Sequence, residues 1–150
     1  MRQRRRWFPA SLLASVLALA GCGQGSHVQV EVAQKDLVGR WADDAGGSMV
    51  FASDHTFRFT SVALKSDVHA SCPRGDSSGR WDFLVEDEES EMSDPRATSG
   101  KSAALHFDGQ SLGACVIAMN FIDDGKSLCL SDDPDDLCSV GAVFSREKKR

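Results

Sequence analysis

From residue 35 onward the apolar positions of this chain alternate instead of recurring every third or fourth residue. In Thr56-Phe57-Arg58-Phe59-Thr60 aromatic and polar residues take turns, the signature of a strand buried on one face. Over 79–85, Trp81, Phe83 and Val85 share a face with Gly79. Further β-prone runs at 37–41, 48–52, 103–107, 115–121, 127–130 and 138–144 are bounded by Gly, Asp, Ser or Pro. The run 62–68 reads as a continuation of the Phe57 strand or as a strand of its own. Asp43-Asp44-Ala45-Gly46-Gly47 and Asp123-Asp124-Gly125-Lys126 read as turns, with glycine where φ turns positive. About eight strands with short connections predict an all-β fold, a small antiparallel meander barrel. A two-sheet β-sandwich is the alternative. Residues 86–102 break the rhythm: they carry Glu86-Asp87-Glu88-Glu89, Glu91, Asp94 and Pro95 and almost nothing apolar. The expectation there is a mobile acidic loop.

The first 34 residues follow another pattern. Arg2, Arg4, Arg5 and Arg6 precede an apolar run over 8–20 that is interrupted by Pro9, Ser11 and Ser15. That run falls short of the roughly 20 residues a helix needs to span hydrocarbon. Leu19-Ala20-Gly21-Cys22 follows it directly and resembles the lipobox of bacterial lipoproteins. The resemblance implies a signal peptide over 1–21 and cleavage before Cys22. It also implies a diacylglyceryl thioether on Cys22, with an amide-linked acyl chain in some members. Two or three chains hold a protein firmly to a bilayer, at about 0.8 kcal/mol per buried CH₂. The partner so implied is the membrane, on its extracytoplasmic face. Residues 22–34 then read as a flexible tether, and 35–150 as one domain. Val28, Val30 and Val32 alternate with polar residues, so the tether's end alternatively adds an edge strand.

Removing residues 1–21 takes four of the 17 Lys and Arg, leaving 13 against 22 Asp and Glu, a formal charge of −9. Such a surface argues against nucleic acid, whose phosphates need a basic face. Cys72, Cys115, Cys129 and Cys138 remain once Cys22 is lipidated. An even count in an exported chain predicts two disulfides, with three possible connectivities. No C-x₂₋₄-C pair is present, so no zinc site is predicted. Cys129 and Cys138 flank an acidic turn and are the preferred pair across a hairpin, leaving Cys72 with Cys115.

Two segments echo each other, Val38-Gly39-Arg40-Trp41 and Ser78-Gly79-Arg80-Trp81. In each, Gly allows a close approach while Trp fills the core. The first, with Asp36 and Leu37, resembles the Gly-x-Trp opening of lipocalin-like (calycin) barrels. In that group an Arg after the last strand packs over the Trp. Arg146, just beyond Phe144, stands where the resemblance implies that barrel-closing partner for Trp41. The Thr-Asp-Tyr motif of the lipocalins proper is missing, and the chain has no Tyr. The whole chain also resembles small actinobacterial lipoproteins of unknown function.

Motifs for catalysis are thin. Gly109-Gln110-Ser111-Leu112-Gly113 spells a nucleophile elbow, but that device needs a parallel sheet leading into a helix, so a surface turn is expected. Asp132-Asp133-Pro134-Asp135-Asp136 lacks the spacing and the glycine of an EF-hand loop. His27, His55, His69 and His106 show no i, i+4 pair. No cofactor, metal or catalytic residue is therefore predicted. The expected function is a membrane-anchored binding or interaction module for a small apolar ligand or an envelope protein. Trp41, Phe57, Phe59, Trp81, Phe83 and Phe107 either fill its core or line a cavity. A protein-partner role as inhibitor or envelope-assembly factor is the alternative. A hydrolase ranks third and needs a cleft where Ser or His meets a carboxylate.

Overall fold

The computed structural model describes residues 27–62, 71–86, 90–111, 114–115, 117–133 and 136–147. In chain order the elements are β1 (Val32–Ala33), α1 (Gln34–Leu37), β2 (Gly39–Ala42), β3 (Ser48–Phe51), β4 (Thr56–Thr60), β5 (Ser77–Glu86) and β6 (Glu91–Asp94). Then follow β7 (Ser99–Gly100), β8 (Ser102–Phe107), β9 (Ile117–Ile122), β10 (Ser127–Ser131) and β11 (Val143–Arg146). Antiparallel pairing runs β4-β3-β2-β11-β10-β9-β8-β5, and β4 pairs with β5 to close the ring. The result is a closed eight-strand barrel, which excludes the sandwich. β6 adds an extra strand outside β5, and β1 pairs with β7 across one end.

The alternation seen in the sequence sets what faces inward. Trp41, Phe51, Phe59, Trp81, Phe83, Phe121 and Phe144 are fully buried, as are Met49, Leu105 and Met119. Each such side chain contributes about 1.5–3 kcal/mol of transfer free energy. The rings interlock edge to face: Trp81 on Phe83 at 5.3 Å, Phe57 on Phe107 at 5.3 Å, and Phe59 on Phe107 at 5.7 Å. Trp41, Phe57, Phe59, Trp81, Phe83 and Phe107 thus pack as core side chains.

One end is plugged by α1, whose Leu37 is fully buried. Trp41 Nε1 donates to the Leu37 carbonyl at 2.9 Å. Arg146 sits opposite Trp41 in the β2–β11 ladder, with its guanidinium carbon 5.8 Å from the Trp41 ring centroid. Its nitrogens donate to the carbonyls of Asp36 and Val38. Gly39, at φ +139°, takes a conformation other residues avoid, and a Cβ there would meet Arg146 at 3.5 Å.

The disulfides are Cys72–Cys115 and Cys129–Cys138, the preferred pairing. The first joins the approach to β5 to the approach to β9; the second folds the 132–142 segment back onto β10.

Several boundaries differ from the sequence reading. The run 37–41 begins as helix, because Leu37 completes the turn started at Gln34 and the strand starts at Gly39. The tether ends earlier than residue 34: Val30 packs on the core, its amide donates to the Phe121 carbonyl, and Val32 is buried. Within 86–102, Glu91–Asp94 and Ser99–Gly100 are strands, not loop. β6 lies at the sheet's edge with both faces largely solvated, so it needs no apolar residues. The stretch 138–140 is turn, held by Val140 N–H on the Leu130 carbonyl, 141–142 is irregular, and the strand begins only at Val143. The strand expected at 62–68 falls largely outside the described residues, as do the signal peptide and Cys22.

Candidate functional site

Because the interior of the barrel is occupied, the outer surface is where a ligand finds room. A cleft of about 510 Å³ runs over the outside of β5, β8, β9 and β10. Its walls include Leu84, Ala104, Ile117, Ala118 and Leu137, with Glu86, Glu91, Asp132 and Asp133 around the rim. The floor is open because the outward residues on the facing strands are small: Ala104 pairs with Ala118, and Ala118 with Ser131. A smaller hollow of about 200 Å³ shares Leu84, Glu86 and Glu91 and extends past Lys101 to Glu31.

The far wall is rigid for identifiable reasons. Asn120 points outward from β9 yet is 4% exposed, since two segments cover it. Gln29 Nε2 donates to its Oδ1 at 2.7 Å, and its Nδ2 donates to the Leu137 carbonyl at 2.6 Å. One amide thereby pins the N-terminal approach and the disulfide-closed segment to the same strand. The Cys129–Cys138 bridge fixes the other side of that segment.

At the opposite end of the cleft the ladder assembles a polar cluster. Asp82 is the cross-strand partner of Ala104, and Ser93 that of Leu84, so both stand beside cleft-lining residues. Asp82 Oδ2 lies 3.6 Å from His106 Nε2 and 3.4 Å from Ser93 Oγ. Ser93 Oγ lies 3.5 Å from the same His106 nitrogen. On the other side, His55 Nδ1 is 3.1 Å from the Trp81 carbonyl and 3.3 Å from Asp82 Oδ1. A carbonyl only accepts, so Nδ1 carries the proton that both oxygens share. The His55 ring stacks on the Trp81 indole at 4.4 Å with its plane 4° off parallel. Its backbone takes φ 64°, with the Trp81 amide donating to the His55 carbonyl.

Ser, His and Asp together invite comparison with a hydrolytic relay. A relay needs the carboxylate on one imidazole nitrogen and the nucleophile on the other. Here Asp82 and Ser93 both face Nε2 of His106, so the carboxylate competes with the hydroxyl instead of orienting the ring. The cluster does not form a triad.

The other sequence candidates disperse. Ser111 of the Gly-x-Ser-x-Gly string is exposed in a loop, and Leu112 and Gly113 are outside the described residues. The acidic turn after β10 closes on itself through an Asp133–Asp136 bridge. Among the described residues no three His, Cys, Asp or Glu side chains come together as a metal-ligand set. His27 is exposed and His69 is outside the described residues. The convergence of His55, Asp82, Ser93 and His106 escaped sequence reasoning, because strand register alone unites them. The available signal was weak: Asp82 and His106 each interrupt an apolar alternation and so face outward.

Comparison with protein-family models, curated proteins and solved structures returns no match.

Proposed function

We propose that this chain is a membrane-anchored, extracytoplasmic, non-enzymatic binding module whose ligand seats on the outside of the barrel. The observation that carries this reading is the contrast between an interior filled by aromatic rings and an outer cleft of about 510 Å³. A cleft of that size suits a small ligand or a short peptide segment. Its alanine and leucine surfaces favour an apolar body, and its carboxylate rim disfavours anions. The lipobox-like Leu19-Ala20-Gly21-Cys22 supports attachment through Cys22. Gln29 in the cleft wall stands seven positions after Cys22, a reach of at most about 25 Å. The cleft therefore opens near the bilayer surface.

Titration with the neutral probe N-phenyl-1-naphthylamine tests the seat. Its fluorescence should rise saturably with the wild-type protein and fail to rise with Ala118→Trp, which fills the cleft from its floor. An equal response from both proteins refutes the location. Anchoring is tested separately: Cys22→Ser should leave an uncleaved precursor without lipid.

A further inference from the structure

We propose that the ligand of the outer cleft is a small organic cation, an apolar body carrying a protonated amine, and that Glu86 and Glu91 form the seat of the amine. This deepens the reading of the cleft as the ligand site and rests on it.

Charge complementarity selects the ligand. Glu86, Glu91, Asp132 and Asp133 line the cleft, and among the described residues that line it none is Lys, Arg or His. Carboxylates around a concave apolar floor focus a negative potential inside it. The floor itself, with Leu84, Ala104, Ile117 and Ala118, offers nothing to neutralise that charge. An anion is repelled there, and a neutral molecule uses only the floor. An apolar body with a positive end uses both.

The two glutamates stand out by their placement. They are direct cross-strand partners, Glu86 on β5 and Glu91 on β6. Like charges directly opposite each other weaken a ladder, and a cation between them relieves the repulsion. Glu91 is also oriented. Its Oε1 accepts the hydroxyl of Ser102 at 2.8 Å, and Ser102 is buried. β5 lies between β6 and β8, so this bond draws the carboxylate across β5 to the margin of the cleft floor. The other Glu91 oxygen has no partner among the described residues.

The chain supplies its own precedent for an ammonium in this position. Lys101 Nζ lies 3.4 Å from Glu86 Oε1, on the side of the adjoining hollow. Both side chains are more than half exposed, so the pair is loose. Among the described residues no cation pairs with Glu91, whereas an amine arriving from the cleft faces both carboxylates. Lys101 is then its competitor for Glu86.

The test uses the full chain in non-ionic micelles and three probes with one apolar body: 4-phenylbutylamine, 4-phenylbutanol and 4-phenylbutyrate. Binding is read by calorimetry against protein-free micelles. The amine should bind about fivefold more tightly than the alcohol, the scale of a partly exposed ion pair, and the butyrate should not bind. The amine's advantage should shrink in about 0.5 M NaCl. Glu86→Gln and Glu91→Gln should each reduce it and the double variant abolish it, with affinity for the alcohol unchanged as the check on folding. Lys101→Ala should tighten the amine alone. Amine and alcohol bound equally by the wild type, and both lost in Ala118→Trp, overturn the cation seat and leave the cleft standing. An amine advantage that survives the double variant overturns it too, as does weaker amine binding by Lys101→Ala. If no probe binds, or binding persists in Ala118→Trp, the cleft itself is refuted and this proposal with it.

Discussion

The two Gly-Arg-Trp segments look interchangeable in the sequence and do different work in the barrel. Gly39 is needed for its backbone angle, φ +139°, and faces the guanidinium of Arg146. Gly79 is needed for space, because a Cβ there would lie 2.0 Å from the His106 carbonyl oxygen and 2.9 Å from Phe57. The tryptophans diverge too. Trp41 Nε1 has a partner in the Leu37 carbonyl, whereas the buried Trp81 Nε1 has none among the described residues. Trp41 is covered by Arg146 and Trp81 by the ring of His55. A repeated tripeptide thus fixes two aromatic positions, and the neighbours decide what each one does. The first packs beneath Arg146 beside α1; the second pairs with β4 where the ring closes and stacks under His55 beside the outer cleft.

Substitutions can break this comparison, and Gly79→Ala should do most damage. The clash is with backbone of the adjoining strand, so β8 must shift; a loss of about 3 kcal/mol is expected from chemical denaturation. A loss under about 1 kcal/mol, the helix-or-strand propensity scale, contradicts the close approach.

The tryptophans come next. Trp41→Phe leaves the Leu37 carbonyl unpaired, which costs about 1–3 kcal/mol beyond the smaller ring. Trp81→Phe removes an unpaired buried N–H, which offsets part of the same packing loss. Urea titrations should therefore show Trp41→Phe as the more destabilising by about 2 kcal/mol. Equal values would erase the distinction.

Arg146→Ala removes the contact over Trp41 and two donors to the Asp36 and Val38 carbonyls. The expected cost is about 1–2 kcal/mol, with Arg146→Lys recovering only part because it lacks the planar fork. Full recovery by lysine would reduce the contact to charge alone.

The smallest effect concerns the turn that presents His55. Hydrogen bonds from the Thr56 hydroxyl at 2.7 Å and the Thr56 amide at 3.1 Å hold the Asp54 carboxyl below its ordinary pKa of 3.8. A depressed folded value means the contribution is present above that ordinary pKa and lost as pH falls through the folded one. The stability gap between wild type and Asp54→Asn should be present at pH 7 and narrow below about pH 4. A gap that does not change with pH removes the carboxylate from the account.

Much of the barrel was legible because its inward residues are large and its turns polar. Phe57 and Phe59, and Trp81 and Phe83, alternate with polar residues that face solvent, so each strand announces its buried face. β6 made no such announcement: Glu91–Asp94 is solvated on both sides, and pairing with β5 alone defines it. α1 is one turn long, too short for a helical period to show. The 138–142 segment has β-prone residues, but the disulfide to Cys129 folds it into turn and irregular chain. The cluster was less legible than the fold. His55 and Asp82 are 27 residues apart, and Asp82 reaches His106 only through the register that sets Arg80 against His106. The cleft was hidden for a related reason, since its floor is made of alanines that carry no signal along the chain.

The central claim is that this barrel keeps its core closed and offers its outside. Native mass spectrometry of the protein purified from its own membranes, wild type beside Ala118→Trp, tests it most directly. The account predicts a small molecule or peptide that travels with the wild type and is missing from the variant. A companion molecule retained by the variant contradicts it, as does wild-type protein that carries nothing beyond its lipid.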